Sequence, residues 1–472
     1  MRWAEFPKWG HWLADWAARY HETLRDRPVR AQVRPGATLA ALPDTPPDAA
    51  QPIADVIADF ERIVMPGITH WQHPRFFAYF PSNASPAAVL ADQLVTVMAP
   101  QCMLWQTSPA ATEMETKMMD WLRQAIGLPG DFAGVIQDSA SSATLAAVLT
   151  MRERALDWDG NAHGLPGQKP LRIYCSGEAH TSIDRAIWVA GIGQANLVRI
   201  PLAPGPMRGM DPAALDAAIR ADLAAGCLPA GVIACTGATG MGACDDIAAV
   251  CTVARDHGLY THVDAAWAGS AMICPEFRDL WRGVEMADSV VFNPHKWLGT
   301  QFDLSAHFIR SPEALTRTLA IQPEYLKTHG ADGIINYSEW SVPLGRRFRA
   351  LKLWFLIRAY GLDGLRQMIR NHVGWSQALC ARLRDTPDFE IVTDPILSLF
   401  TFRFAPPGHD PEQATLDLIT RINDDGRIYV TQTRVDGAFV IRFQVGQFDC
   451  TAADIDTAYD VITEIADQIR KG

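Results

Sequence analysis

The feature that most constrains this chain is a change of period near residue 85. From there to about residue 310, short apolar runs alternate with helical stretches. The runs lie at 134–137, 172–175, 197–200, 231–235, 259–263, 289–292 and 305–309. Each is too short for a stable helix, and several are rich in β-branched residues, so each reads as a buried strand. Helical candidates lie between them, such as the one opened by Asp211 as cap and Pro212 in the first turn. Strands separated by helices predict an α/β fold whose mostly parallel sheet is covered on both faces.

The flanks differ. Trp9, Trp12, Leu13, Trp16 and Tyr20 recur at helical spacing and predict one apolar stripe. A proline-bearing linker follows, and a second helix is expected from Pro52 to about Val64. Two such helices cannot build a core alone, so they must dock on the rest of the chain or on a second copy. A long helix is expected over 340–360. Beyond it, strand candidates at 389–392, 397–404, 427–431 and 438–445 surround a helix near 411–424 and precede one near 453–470. The expected organisation is an N-terminal helical segment (1–84), a large α/β domain (85–360) and a small α+β domain (361–472).

Several function classes drop out. With 42 Lys+Arg against 53 Asp+Glu the net charge is −11, and no basic run offers a nucleic-acid footprint. The longest uncharged interval, 93–112, is broken by Pro100, Gln101, Gln106, Ser108 and Pro109, so no membrane span is expected. Glu5, Lys8 and Asp15 occupy the place of a signal peptide's apolar stretch. Nine cysteines without a CxxC pair indicate neither a disulfide framework nor a zinc ribbon, and a cytoplasmic location is expected. His70 and His73 lack a nearby acid or cysteine to complete a metal site, and no metal is expected.

Four elements carry chemistry. Lys296, in Asn293-Pro-His-Lys-Trp297, directly follows the strand at 289–292, where ligands of α/β sheets bind. A lone loop lysine is usually a surface residue, but His295 and Trp297 on either side argue for a crowded, built site. There a lysine can act as a Schiff-base nucleophile. Asp264, in His262-Val-Asp-Ala-Ala-Trp267, leaves a buried strand and needs a cationic partner or a helix to cap. If the lysine holds pyridoxal phosphate, that partner is the pyridine nitrogen. Ser139 and Ser141, in Gln137-Asp-Ser-Ala-Ser-Ser-Ala-Thr144, precede an apolar helix, whose N-terminus can be a phosphate cradle or a plain serine cap. His180 follows the strand at 172–175 and is placed to stack on a cofactor ring, or to stand free in a loop. No complete GxGxxG or GxxxxGK[ST] run supports a dinucleotide or P-loop reading.

In this order the elements resemble the pyridoxal-phosphate-dependent group II amino-acid decarboxylases, specifically the aromatic L-amino-acid decarboxylases. The resemblance spans nearly the whole chain. It includes Pro66-Gly-Ile-Thr-His-Trp71, His73-Pro-Arg-Phe-Phe-Ala-Tyr-Phe-Pro81, Ser108-Pro-Ala-Ala-Thr-Glu-Met-Glu115, Val135-Ile-Gln-Asp-Ser-Ala-Ser141 and Phe292-Asn-Pro-His-Lys-Trp297. Glu324-Tyr-Leu-Lys327 and Pro343-Leu-Gly-Arg-Arg-Phe-Arg349 extend it.

The resemblance implies a fold-type I homodimer with active sites at the subunit interface. The N-terminal helices would pack on the partner. It implies that Lys296 binds pyridoxal 5'-phosphate and that Asp264 partners the pyridine nitrogen. His180 would stack on the ring, Ser139, Ala140, Ser141, Asn293 and His295 would lie on the phosphate side, and Thr239 and Ala266 would touch the ring. Tyr79, Phe80, Pro81 and Ser82 resemble substrate-pocket wall. Gly345 matches a position that is Gly in plant relatives with indolic substrates and Ser with phenolic ones.

Tyr325, in a glycine-bearing stretch without apolar periodicity, resembles the mobile-loop tyrosine that protonates the product. The implied reaction takes an aromatic L-amino acid (tryptophan, 5-hydroxytryptophan, tyrosine, DOPA or phenylalanine) to its arylalkylamine and CO₂. Three departures from the pattern stand out. Asp138 replaces a common glycine, and Gln101 and Met103 occupy apolar or aromatic pocket positions. An aldehyde synthase on the same scaffold is the nearest rival. That branch departs at the positions of Tyr325 or His180, both intact here. A non-catalytic relative would be expected to lack Lys296 or Asp264.

Overall fold

The computed structural model describes residues 1–321 and 333–471. Contacts divide the chain into two units. The larger comprises 82–377 and 393–400, and the smaller comprises 1–81, 378–392 and 401–472.

The larger unit carries a seven-stranded sheet. Its strands are β1 (Ala133–Gln137), β2 (Leu171–Ser176), β3 (Leu197–Ile200), β4 (Leu228–Cys235), β5 (Tyr260–Asp264), β6 (Ser289–Phe292) and β7 (Ser305–Ile309). Their spatial order is β1-β7-β6-β5-β4-β2-β3. All seven expected strands are present. The pairs β2·β3, β2·β4, β4·β5 and β5·β6 are parallel, and β7 runs antiparallel to both its neighbours. That reversal matters for the site. After β6 the chain needs no crossover and turns back at once through residues 293–304, so this turn stays at the carboxyl edge of the sheet.

Both faces are covered, as a parallel sheet requires. Met151, on the helix Ala140–Ala155, packs so closely on Gly231 of β4 that a Cβ there would lie 2.5 Å from its sulfur. On the opposite face Met119, on the helix Pro109–Ile126, fills the corresponding space over Gly134 of β1. The helix expected over 340–360 begins instead at Ala350 and runs to Arg384, broken at Gly361. Residues 341–349, with Pro343 and Gly345, form an irregular segment that bonds sideways to other parts of the unit.

The remaining strands, β8 (Phe389–Ile396), β9 (Leu399–Phe404), β10 (Thr431–Val435) and β11 (Ala438–Gln444), form a second sheet ordered β10-β11-β9-β8. The strand expected at 427–431 begins only at Thr431, because the backbone of Val430 is engaged by the side chain of Asn423. The N-terminal helix Phe6–Glu22 holds its aromatic stripe together by stacking Trp12 on Trp16 and Trp16 on Tyr20. Tyr20 also bonds His70 Nδ1 at 2.8 Å. Nearby, Arg25 forks onto the buried carboxylate of Asp454 at 2.9–3.0 Å, tying residues 1–81 to the C-terminal helix Ala452–Arg470. Among the described residues no helix is long and apolar enough to cross a membrane.

Candidate active site

The parallel strands deliver their carboxyl ends to one edge of the sheet, and the expected residues gather there. Ser139 follows β1, His180 follows β2, Thr239 follows β4, Asp264 ends β5, and Asn293, His295 and Lys296 follow β6. Ala266 packs with Ala140, Ala143 and Val291. Asn293 N–H donates to Ala266 C=O at 2.9 Å, which joins the β5 and β6 ends directly.

Lys296 sits in the single-turn helix Pro294–Trp297, between buried neighbours. Trp297 stacks on Trp267 with ring centroids 5.0 Å apart, and its indole N–H donates to His372 Nδ1 at 2.9 Å. These contacts fix the turn that carries the lysine. Asn293 is 3% exposed, and its side-chain oxygen accepts the Ser305 hydroxyl at 2.5 Å. His295 Nδ1 accepts the Leu304 N–H at 3.0 Å, so its other nitrogen carries the proton. Burial, with Lys296 adding to it, pushes the His295 pKa down to about 3. The imidazole is therefore neutral at working pH.

Asp264 is 4% exposed, and one carboxylate oxygen accepts the Ala266 N–H at 3.0 Å. A carboxylate so buried calls for a cation. Ser139 caps the helix Ala140–Ala155, its hydroxyl accepting the Ser142 N–H at 3.2 Å. The N–H groups of Ala140 and Ser141 make no hydrogen bond among the described residues, and the first turn holds no acid. Such a helix start receives an anion well. Asp138, in the place of a common glycine, does not adopt a positive φ, so the backbone there makes no demand for glycine.

His180 is exposed, and its ring interacts electrostatically with both Asp264 and Lys296. Its pKa is lowered, first by desolvation, while Asp264 opposes and Lys296 assists.

Gln101 and Gly345 line a cavity of about 420 Å³ together with Arg346. Met103 offers its carbonyl to Ser338 N–H at 3.1 Å. Ser82 belongs to the larger unit, whereas Tyr79, Phe80 and Pro81 belong to the smaller one. There Tyr79 has a φ of +48° and gives its carbonyl to Arg442, whose guanidinium covers the Phe80 ring at 4.6 Å. Tyr325 lies outside the described residues. His70 and His73 are engaged by Tyr20 and by Arg75 N–H respectively.

Sequence reasoning missed the residues that hold these groups: Ser305, Leu304, His372 and Ser182, whose backbone N–H donates to His180 Nδ1. Only Ser182 left a local signal, two positions after His180. The donor set suits pyridoxal phosphate. It offers an amine for the aldehyde, a buried carboxylate for the ring nitrogen, and a helix N-terminus with small and hydroxylated residues for the phosphate.

Comparison with known proteins agrees. Residues 35–405 match the model of the pyridoxal-dependent decarboxylase conserved domain. The aromatic-L-amino-acid decarboxylase of Rattus norvegicus is 39% identical over 480 residues, covering 98% of each chain. The phenylacetaldehyde synthase of Arabidopsis thaliana is 36% identical over 98% of this chain and 96% of its own. The crystal structure of Oryza sativa TDC with PLP and tryptamine superposes with a TM-score of 0.96 at 35% identity, covering 99% of both chains.

Proposed function

The chain belongs to the pyridoxal-dependent decarboxylase family, and from that premise we propose that it converts an aromatic L-amino acid to the arylalkylamine and CO₂. The observation that carries the reading is the convergence of Lys296, Asp264 and the open helix start at Ala140 on one sheet edge. Pyridoxal phosphate, when bound, supplies a conjugated ring that takes up the electron pair left as CO₂ departs.

The chain's own residues do the rest. Lys296 holds the cofactor covalently and yields its place to the substrate amine. Asp264 keeps a proton on the ring nitrogen. The Ala140 and Ser141 amides, the Ser139 and Ser141 hydroxyls, Asn293 and His295 grip the phosphate. Thr239 and Ala266 bear on the ring from the β4 and β5 ends, and His180 covers it. Tyr325 gives a proton to Cα after CO₂ leaves.

Tyr79, Phe80, Pro81, Ser82, Gln101, Met103 and Gly345 line the substrate's path. In this reading two copies of the chain form each site. The aromatic stripe of the helix Phe6–Glu22, which has no fully buried residue, is covered by the second copy. Tryptophan or 5-hydroxytryptophan is expected to be accepted, because Gly345 leaves room for a bicyclic ring.

The test is direct. Purified protein with pyridoxal phosphate is incubated with each aromatic amino acid, and amine, CO₂ and hydrogen peroxide are measured. Amine and CO₂ in equal amounts support the reading. Aldehyde with peroxide would instead make the chain an aldehyde synthase, and no turnover of any aromatic substrate would overturn both.

A further inference from the structure

His180 stands in a turn that fixes which of its ring nitrogens carries a proton. The backbone N–H of Ser182 donates to His180 Nδ1 at 3.1 Å, and the Ser182 hydroxyl lies 2.9 Å from the same nitrogen. A backbone N–H can only donate. Nδ1 must therefore be the bare nitrogen, and the ring proton sits on Nε2. Ser182 opens the helix Ser182–Val189, where the first N–H groups have no acceptor within the helix. The His180 ring is the acceptor that this amide needs. Protonating Nδ1 would set two donors face to face and strand the amide.

We infer that Ser182 is a positioning residue that holds His180 as the neutral Nε2–H tautomer, so that His180 serves the reaction as a hydrogen-bond donor and not as an acid. The inference rests on the placement of His180 at the reacting centre proposed above. The charged groups around the ring agree with it. Desolvation lowers the His180 pKa, Lys296 and Arg185 lower it further, and Asp264 and Asp184 oppose them without reversing the sign.

Two consequences follow for the chemistry. A neutral imidazole releases its Nε2 proton only if Nδ1 gains one at the same time, and the Ser182 amide blocks that exchange. The proton delivered to Cα must then come from another group. In addition, an imidazolium beside the substrate carboxylate would stabilise the charged ground state more than a transition state in which that charge is dispersing. A neutral N–H orients the carboxylate without that penalty.

The test uses holoenzyme with ¹⁵N-labelled histidine rings, the His180 signals being assigned by their loss in His180→Gln. The expected spectrum at about pH 8 shows a pyridine-type Nδ1 and a pyrrole-type Nε2. Ser182→Ala keeps the amide and should keep that spectrum. A backbone ester at residue 182 removes the N–H. It should shift the ring toward Nδ1–H or imidazolium and lower kcat about 10-fold, with KM changed less. A protonated Nδ1 in the unaltered enzyme, or a ring spectrum indifferent to the ester, would overturn the inference. These spectra are read without turnover, so they stand apart from the decarboxylation assay that tests the proposed function.

Discussion

The side-chain carbonyl of Gln101 accepts the backbone N–H of Arg346 at 2.7 Å, and its amide nitrogen stands 3.4 Å from where a Cβ on Gly345 would lie. That distance is ordinary van der Waals contact, and Gly345 does not have a positive φ. Gly345→Ser should therefore fold normally, and its hydroxymethyl group should occupy cavity space next to Gln101. Preference should move from tryptophan toward tyrosine or DOPA by about 10- to 200-fold in the ratio of kcat/KM values. An unchanged ratio would remove Gly345 from the substrate's path.

Lys296 should carry the cofactor. Borohydride reduction of the yellow holoenzyme should fix the label on Lys296, as read by peptide mapping, and Lys296→Ala should abolish the fixed label. Asp264→Asn should retain the fold and bind cofactor but lose activity by several orders of magnitude, because the ring nitrogen is no longer held protonated. A label on any other lysine would refute the assignment.

Tyr325→Phe removes one phenolic proton and little else. A phenol has a proton to give at neutral pH, because its ordinary pKa is near 10. The variant should still release CO₂, yet form aldehyde, ammonia and hydrogen peroxide with consumption of oxygen in place of most of the amine. Amine yield equal to that of the unaltered enzyme, with no peroxide, would show that Tyr325 is not the donor.

Glu115 and Arg346 form a buried ion pair, and the same Glu115 oxygen accepts the Ile136 N–H at 2.8 Å. Glu115→Leu would leave the Arg346 guanidinium buried without its anion, at a cost of about 3–5 kcal/mol in urea unfolding. The double variant Glu115→Leu/Arg346→Met should recover most of that loss. A single variant within about 1 kcal/mol of the original would mean that the guanidinium finds another acceptor.

His307 is fully buried on β7 at 0% exposure, and burial lowers its pKa from 6.5 to about 3. The unfolded chain therefore binds the extra proton first as pH falls. The stability this neutral ring contributes is complete above about pH 6.5. It is lost on acidification at about 1.4 kcal/mol per pH unit until about pH 3. His307→Leu should make the fall in stability between about pH 6 and about pH 5 shallower by that amount. An unaltered slope would show that His307 does not contribute to acid sensitivity.

The larger unit was legible because its strands are short, β-branched and separated by helices, so each run between 134 and 309 announced itself. The site was legible where chemistry is local: Lys296 and Asp264 lie at strand ends that can be read from the strands alone. Its supports were not legible. Ser305 meets Asn293 because β7 turns back antiparallel, and Gln101 meets Arg346 across 245 positions of chain. Neither follows from a period or a spacing. The helix expected over 340–360 from its Arg, Leu, Phe and Trp content starts only at Ala350, because Pro343 and Gly345 favour irregular backbone before it.

The smaller unit unites residues 1–81 with residues 401–472. On the ribosome these halves emerge far apart in time. At about 5–20 residues per second, the intervening stretch takes roughly 16–64 s to translate. Throughout that interval Asp454, the partner of Arg25, has not been made. The larger unit, whose seven strands all lie between residues 133 and 309, can complete its sheet first. Newly made chains should therefore depend on a chaperone to hold residues 1–81 until the C-terminal helix has been made. Expression at lower temperature should raise the soluble yield more for the full chain than for one that begins after the helix Phe6–Glu22.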